Sequence, residues 1–179
     1  MNDLPTLALG FARCAHRKQQ RKYTGEPYVT HCENVAKIVA SYTSDPEVIA
    51  AAALHDVLED TDVTAEEMRV AFGDRVTALV LEVTDVSRPG DGNREARKKL
   101  DREHVAKSSP EGATIKLADL IDNTSSIVQY DKGFARSYLR EKELLLEVLK
   151  HGNTELWARA YSVLQDAQRE LIQAKLGEG

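Results

Sequence analysis

The segment His55-Asp56-Val57-Leu58-Glu59-Asp60 gathers one imidazole and three carboxylates into six residues. On a helix turning 100° per residue, these side chains fall within an arc of roughly 140°, with His55 one turn from Glu59 and Asp56 one turn from Asp60. The preceding stretch, Ile49 to Leu54, is apolar and rich in alanine and belongs in a core. Ionisable groups at the end of a buried helix are expensive to desolvate unless something balances their charge, and a bound metal ion would do so. The alternative is a helix that simply emerges into solvent at its C-terminus.

Two more residues extend the set. His31 follows a Gly25-Glu26-Pro27-Tyr28 turn and opens a helix, where it is either an aimed ligand or a surface residue. Asp119 lies in the apolar run Ile115-Lys116-Leu117-Ala118-Asp119, where an interior carboxylate needs either a metal or a neighbouring cation. Together, His31, His55, Asp56 and Asp119 offer two nitrogen and two oxygen donors. That mixture suits Mn²⁺ or Fe²⁺, and octahedral coordination would leave positions for water or substrate. Separate helices of a bundle can supply such ligands to one point.

Cations come in two groups. Between Leu4 and Gly25 there are five Lys or Arg and no acid, in a chain of net charge −5. Arg17 with Arg21, and Lys18 with Lys22, repeat at i, i+4, a like-charge pattern that weakens a helix unless an anion answers it. Arg94, Arg97 and Lys98 form a second cationic face after a Gly-rich loop. Each group is either a phosphate contact or a solvated surface.

The elements that must position these residues are helical. Expected helices run over 4–20, 29–42, 47–60, a short one ending at Gly73, 74–86, 93–107, 111–130, 134–149 and 153–175. Ser44-Asp45-Pro46 reads as a cap followed by proline at the first helical position, and Thr64 with Glu67 as a capping box. No alternating β-branched runs and no internal repeats occur. The expectation is an all-α fold, one domain over residues 1–179. The acidic balance argues against a nucleic-acid partner. Two cysteines make no disulfide scaffold, and no apolar run approaches the roughly 20 residues that span a bilayer. The N-terminus lacks the pattern of a signal peptide, so a cytoplasmic protein without membrane contact is expected.

The ligand order, His…His-Asp…Asp, resembles that of the HD-domain metal-dependent phosphohydrolases. The segments 16–22 (HRKQQRK), 25–31 (GEPYVTH), 52–61 (AALHDVLEDT), 83–85 (VTD), 116–119 (KLAD) and 138–142 (YLREK) are similar to the hydrolase domain of Rel/SpoT-type enzymes and to the small stand-alone alarmone hydrolases. The likeness covers residues 7–149, with a further C-terminal helix at about 153–175. It implies an HD-domain helical bundle, a single Mn²⁺, and hydrolysis of the 3′-pyrophosphate of ppGpp or pppGpp to GDP or GTP plus pyrophosphate by a metal-activated water. It further implies metal ligation by His31, His55, Asp56 and Asp119, and water activation by Glu59 and Asp60. Arg21 and Lys22 would lie near the guanine, Asn123 near the ribose and Tyr138 in the nucleotide pocket, with Arg94, Arg97 and Lys98 toward the phosphates. The chain departs from the family pattern at Cys32, where proline is usual, and at Leu120 and 124–126, where basic residues are usual. Those departures keep open a different nucleotide, such as NADPH, or a non-catalytic alarmone-binding protein. Oligomeric state is not legible.

Overall fold

The computed structural model describes residues 3–125 and 127–176, and in these ten helices are separated by short connections. They are α1 (Leu4–Ala15), α2 (Val29–Ala40), α3 (Pro46–Leu54), α4 (Val57–Asp60), α5 (Ala65–Val83), α6 (Arg94–Val105), α7 (Pro110–Thr124), α8 (Ile127–Tyr130), α9 (Lys132–Val148) and α10 (Thr154–Leu176). Among the described residues there is no strand, only an isolated antiparallel bridge between Gln20 and Pro27. No described helix is long and apolar enough to cross a membrane.

Side-chain caps fix most helix starts. Asp45 accepts from the Glu47 amide, Asn93 from Ala96, Ser109 from Gly112 and Asp131 from Phe134. Each satisfies an amide that the first turn leaves without a partner. Thr64 and Glu67 form the expected reciprocal box, at 2.8 and 3.2 Å. At Gly73 (φ +86°, ψ 173°) the backbone leaves helical values in a conformation open to glycine, so α5 is two helical stretches that meet at the expected boundary.

Two expected helices are broken. The 47–60 helix stops at Leu54 and resumes as the single turn α4. At the break Asp56 has φ −97° and ψ −3°, away from helical values. His55 Nδ1 bonds the Ala52 carbonyl at 2.8 Å and so competes for an acceptor of the helix ladder. The one-turn relation of Asp56 to Asp60 survives the break, with the Asp60 amide donating to the Asp56 carbonyl at 2.9 Å, whereas His55 belongs to the end of the preceding helix. The 111–130 helix ends at Thr124, where Ser125 Oγ donates to the Asp122 carbonyl at 2.9 Å. Ser126, part of the divergent segment, lies outside the described residues.

Helix α3 sits at the centre, packed against α1, α2, α5 and α7. Ala50 to Leu54 are fully buried, and four consecutive alanines let neighbouring helices approach closely. Helix α7 packs on α2, α5 and α10, so α2, α3 and α7 bring their polar ends to one place. Helix α10 closes the bundle over α7 and α9, with Trp157 Nε1 donating to the Leu146 carbonyl at 2.9 Å.

Candidate active site

His55 stands at the end of α3 and His31 in the first turn of α2, both 1% exposed. The His55 bond to the Ala52 carbonyl requires a proton on Nδ1, which leaves the Nε2 lone pair free. His31 Nδ1 faces Asp122 Oδ2 at 2.6 Å, so it too carries the proton and leaves Nε2 free. The two Nε2 atoms then face each other at 3.2 Å. Asp56 Oδ2 lies 3.1 Å from His55 Nε2 and 3.4 Å from His31 Nε2. Asp119 Oδ1 lies 3.3 Å from His31 Nε2 and 3.8 Å from His55 Nε2. Donor atoms of His31, His55 and Asp56 all fall within 4.8 Å of one another. Three lone-pair donors, those of His31, His55 and Asp56, converge, and Asp119 Oδ1 lies beside both rings. That donor set fits a divalent cation, held by second-sphere bonds of the kind that orient metal-binding histidines.

The electrostatics agree. Burial works against a charged His31, yet its hydrogen bonds to the accepting carboxylates of Asp119, Asp122 and Asp56 raise its pKa to about 11, so the groups around Nε2 favour positive charge there, whether a proton or a metal cation. Asp56 is held well below the carboxylate range, its burial outweighed by His55 and His31. Asp119 is lowered too, with Lys116 the leading cation against burial. Lys116 Nζ sits 3.3 Å from Asp119 Oδ2, so Asp119 has both the neighbouring cation and the place at the donor cluster that the sequence left as alternatives.

Glu59 and Asp60 border the same cavity, of about 240 Å³, as Asp56 and Asp119. Glu59 Oε2 accepts the Asp85 amide at 3.1 Å. Desolvation and then the Asp85 charge raise its pKa to about 7, which suits a base working near neutrality. Asp60 is raised by desolvation and by Asp56. Its backbone carbonyl accepts from Gln19 Nε2 at 2.6 Å, and Gln19 is oriented by the buried His16.

A second cavity of about 450 Å³ adjoins the first, with Arg21, Lys22, Tyr23 and Phe134 in its walls and no carboxylate. Tyr28, Arg94, Asn123, Tyr138 and Lys142 line both cavities. Arg21 is anchored to Asn123 Oδ1 at 3.0 Å and Asp122 Oδ2 at 3.2 Å, while Lys22 lies over the Tyr23 ring at 4.9 Å. Asn123 Nδ2 in turn donates to Asp119 Oδ1. The second cationic face is divided. Arg94 makes two bonds to Glu141, at 2.7 and 2.9 Å, and Lys98 is 2.6 Å from Asp85. Arg97 borders neither of these cavities but a third, of about 410 Å³, beside Glu59 and Lys98.

Sequence reading passed over four contributors. Asp122 orients His31 and is itself held by Asn34 Nδ2 at 2.9 Å. The Tyr28 hydroxyl donates to Asp56 Oδ2 at 2.6 Å. Lys116 and Lys142 entered only as letters of longer motifs. Spacing held a signal for two of these: Asp122 follows Asp119 at i+3, and Lys142 follows Tyr138 at i+4, both on shared helical faces.

Comparison with known proteins decides the family. The HD-domain family pattern matches residues 8–141. The chain belongs to the HD-domain family. Among curated relatives of this HD-domain protein, guanosine-3′,5′-bis(diphosphate) 3′-pyrophosphohydrolase MESH1 of Drosophila melanogaster is 45% identical over 118 residues, which make up 64% of each chain. A guanosine-3′,5′-bis(diphosphate) 3′-pyrophosphohydrolase of Aquifex aeolicus is 35% identical over 144 residues, 80% of this chain and 20% of that one. The chain thus spans less than two thirds of the length of these two relatives. A solved structure, described as a metazoan ortholog of SpoT that hydrolyzes ppGpp, superposes with a TM-score of 0.84 at 32% identity, covering 96% of this chain and 98% of the other. The helical architecture is that of HD-domain structures.

Proposed function

We propose that this HD-domain protein is a Mn²⁺-dependent pyrophosphohydrolase that cleaves the 3′-pyrophosphate of ppGpp or pppGpp. The observation that carries this reading is the convergence of His31, His55, Asp56 and Asp119, beside two carboxylates and an acid-free aromatic cavity. The named activity of the relatives supports it.

When bound, the divalent ion supplies Lewis acidity that brings the pKa of a water toward neutrality. His31, His55, Asp56 and Asp119 would hold the ion, with Asp122 and the Ala52 carbonyl fixing the two rings. Glu59, with a pKa of about 7, takes a proton from the attacking water, and Asp60 borders the same cavity. The Tyr23, Phe134 and Tyr138 rings with Arg21 and Lys22 provide faces and charge for a purine nucleotide. Arg94 and Lys98 are engaged with Glu141 and Asp85, and only their remaining N–H donors are open to a phosphate while those pairs stand. Arg97 reaches phosphate only through the third cavity.

The divergent segment after Asp119, where Leu120 is fully buried and Ser125 caps α7, favours one second reading: the same chemistry on another nucleotide such as NADPH. The test is to incubate Mn²⁺-loaded protein with ppGpp, NADPH and a panel of nucleoside phosphates and identify the phosphorus product. Pyrophosphate from ppGpp is expected. Inorganic phosphate from another member points to the second reading, and no turnover at stoichiometric metal refutes both.

A further inference from the structure

Most cations around the first cavity have a partner on view. In the first cavity, Arg94 is paired with Glu141, Lys98 with Asp85 and Lys116 with Asp119. Lys142, on α9, lines both cavities, yet among the described residues its ammonium has no hydrogen bond or ion pair. Its close contact is the face of the Tyr138 ring, 5.0 Å from the ring centre. Burial pushes its pKa down, with Asp119 opposing the shift and Lys116 and Lys98 reinforcing it. A partly buried ammonium without a counter-ion is costly, and the cost falls when an anion arrives.

One turn earlier on the same helix, the Tyr138 hydroxyl is buried with no well-formed hydrogen bond, its polar neighbour being the equally buried Thr124 hydroxyl. It too lines both cavities. Buried hydroxyls are almost always hydrogen-bonded, so two unanswered groups on one helical face mark a place where a ligand supplies the missing acceptor. The place is the waist between the donor cluster and the aromatic pocket. A nucleotide with its base against Tyr23 and Phe134 and its reacting phosphorus at the donor cluster must pass its sugar and phosphate ester through that waist.

We propose that Lys142 and the Tyr138 hydroxyl form an anion subsite that binds the phosphate ester of the nucleotide where its sugar joins the reacting phosphorus. The proposal rests on the metal-dependent reading above and adds a residue to it. Lys142 contacts the phosphate as a hydrogen-bond donor and positive charge, and Tyr138 as a neutral donor.

Titrating inorganic pyrophosphate into the Mn²⁺-loaded protein by calorimetry tests this without turnover. Lys142→Met is expected to weaken pyrophosphate binding by roughly 10- to 100-fold, the worth of one charge-assisted hydrogen bond, while the protein keeps its Mn²⁺ site and melts no lower than the wild type. Lys142→Arg is expected to restore most of the loss, and Tyr138→Phe to weaken binding by a smaller factor. Unchanged pyrophosphate affinity in folded, metal-loaded Lys142→Met overturns the subsite. So does a loss that arginine fails to restore. If the wild type does not hydrolyse ppGpp but Lys142→Met still loses pyrophosphate affinity, the proposed substrate fails and the subsite stands.

Discussion

Asp122 touches the candidate metal only through His31, so replacing it with alanine measures how far the orientation of one ring matters. In the native protein its Oδ2 accepts from His31 Nδ1 at 2.6 Å, and Asn34 holds its other oxygen at 2.9 Å. The His31 side chain is fully buried, and in the native protein its Nδ1 relies on Asp122 rather than on solvent. Nδ1–H is then left unsatisfied, or the proton moves to Nε2 and competes with the metal for the lone pair. A hydrogen bond to a charged group contributes about 1.5–3 kcal/mol. At about 1.4 kcal/mol per decade, Asp122→Ala should weaken Mn²⁺ binding by roughly 10- to 150-fold, in line with the loss usual for second-sphere partners. Chelator competition on folded protein gives the affinity. Arg21→Ala, which removes the other cation on Oδ2 but keeps the imidazole bond, should leave it nearly unchanged. A folded Asp122→Ala variant with wild-type Mn²⁺ affinity would refute the reasoning.

Glu59→Gln should keep its metal, as measured by elemental analysis, and lose about 10²–10⁴ in kcat. Because the base works only when ionised, wild-type kcat/KM should rise with pH through about 7 and level off above it, and the Gln variant should lack that limb. The same raised pKa bears on stability: folding favours protonated Glu59, so its contribution is present below about 4.5 and is lost as pH climbs through about 7. In metal-free protein, Glu59→Gln should therefore raise the melting temperature more at pH 8 than at pH 5, and an equal change at both would count against the assignment. Lys116→Met strands the buried Asp119 carboxylate and should cost the metal-free protein about 3–5 kcal/mol in urea unfolding, whereas a change below about 1 kcal/mol would show that the pair is not structural.

What the sequence discloses and what it withholds divide along the range of the interactions involved. Thr64 with Glu67, Asn93 and Ser109 act within one turn, so their residue types alone locate the starts of α5, α6 and α7. The donor set was legible because imidazoles and carboxylates beside apolar runs demand compensation wherever the chain goes. The break after Leu54 was not, because it accompanies a side-chain bond from His55 to Ala52 that periodicity does not encode. Arg94 and Lys98 read as free cations because Glu141 and Asp85 reach them from other elements, 47 and 13 residues away. Asp122 drew no notice in the sequence, because only the packing of α7 against α2 brings it to His31.

Crystals grown with Mn²⁺ and measured at the manganese absorption edge test the central claim most directly. The account predicts one anomalous peak within bonding distance of Nε2 of His31 and His55 and the carboxylates of Asp56 and Asp119. A peak elsewhere, or none at that point in protein saturated with Mn²⁺, would contradict it.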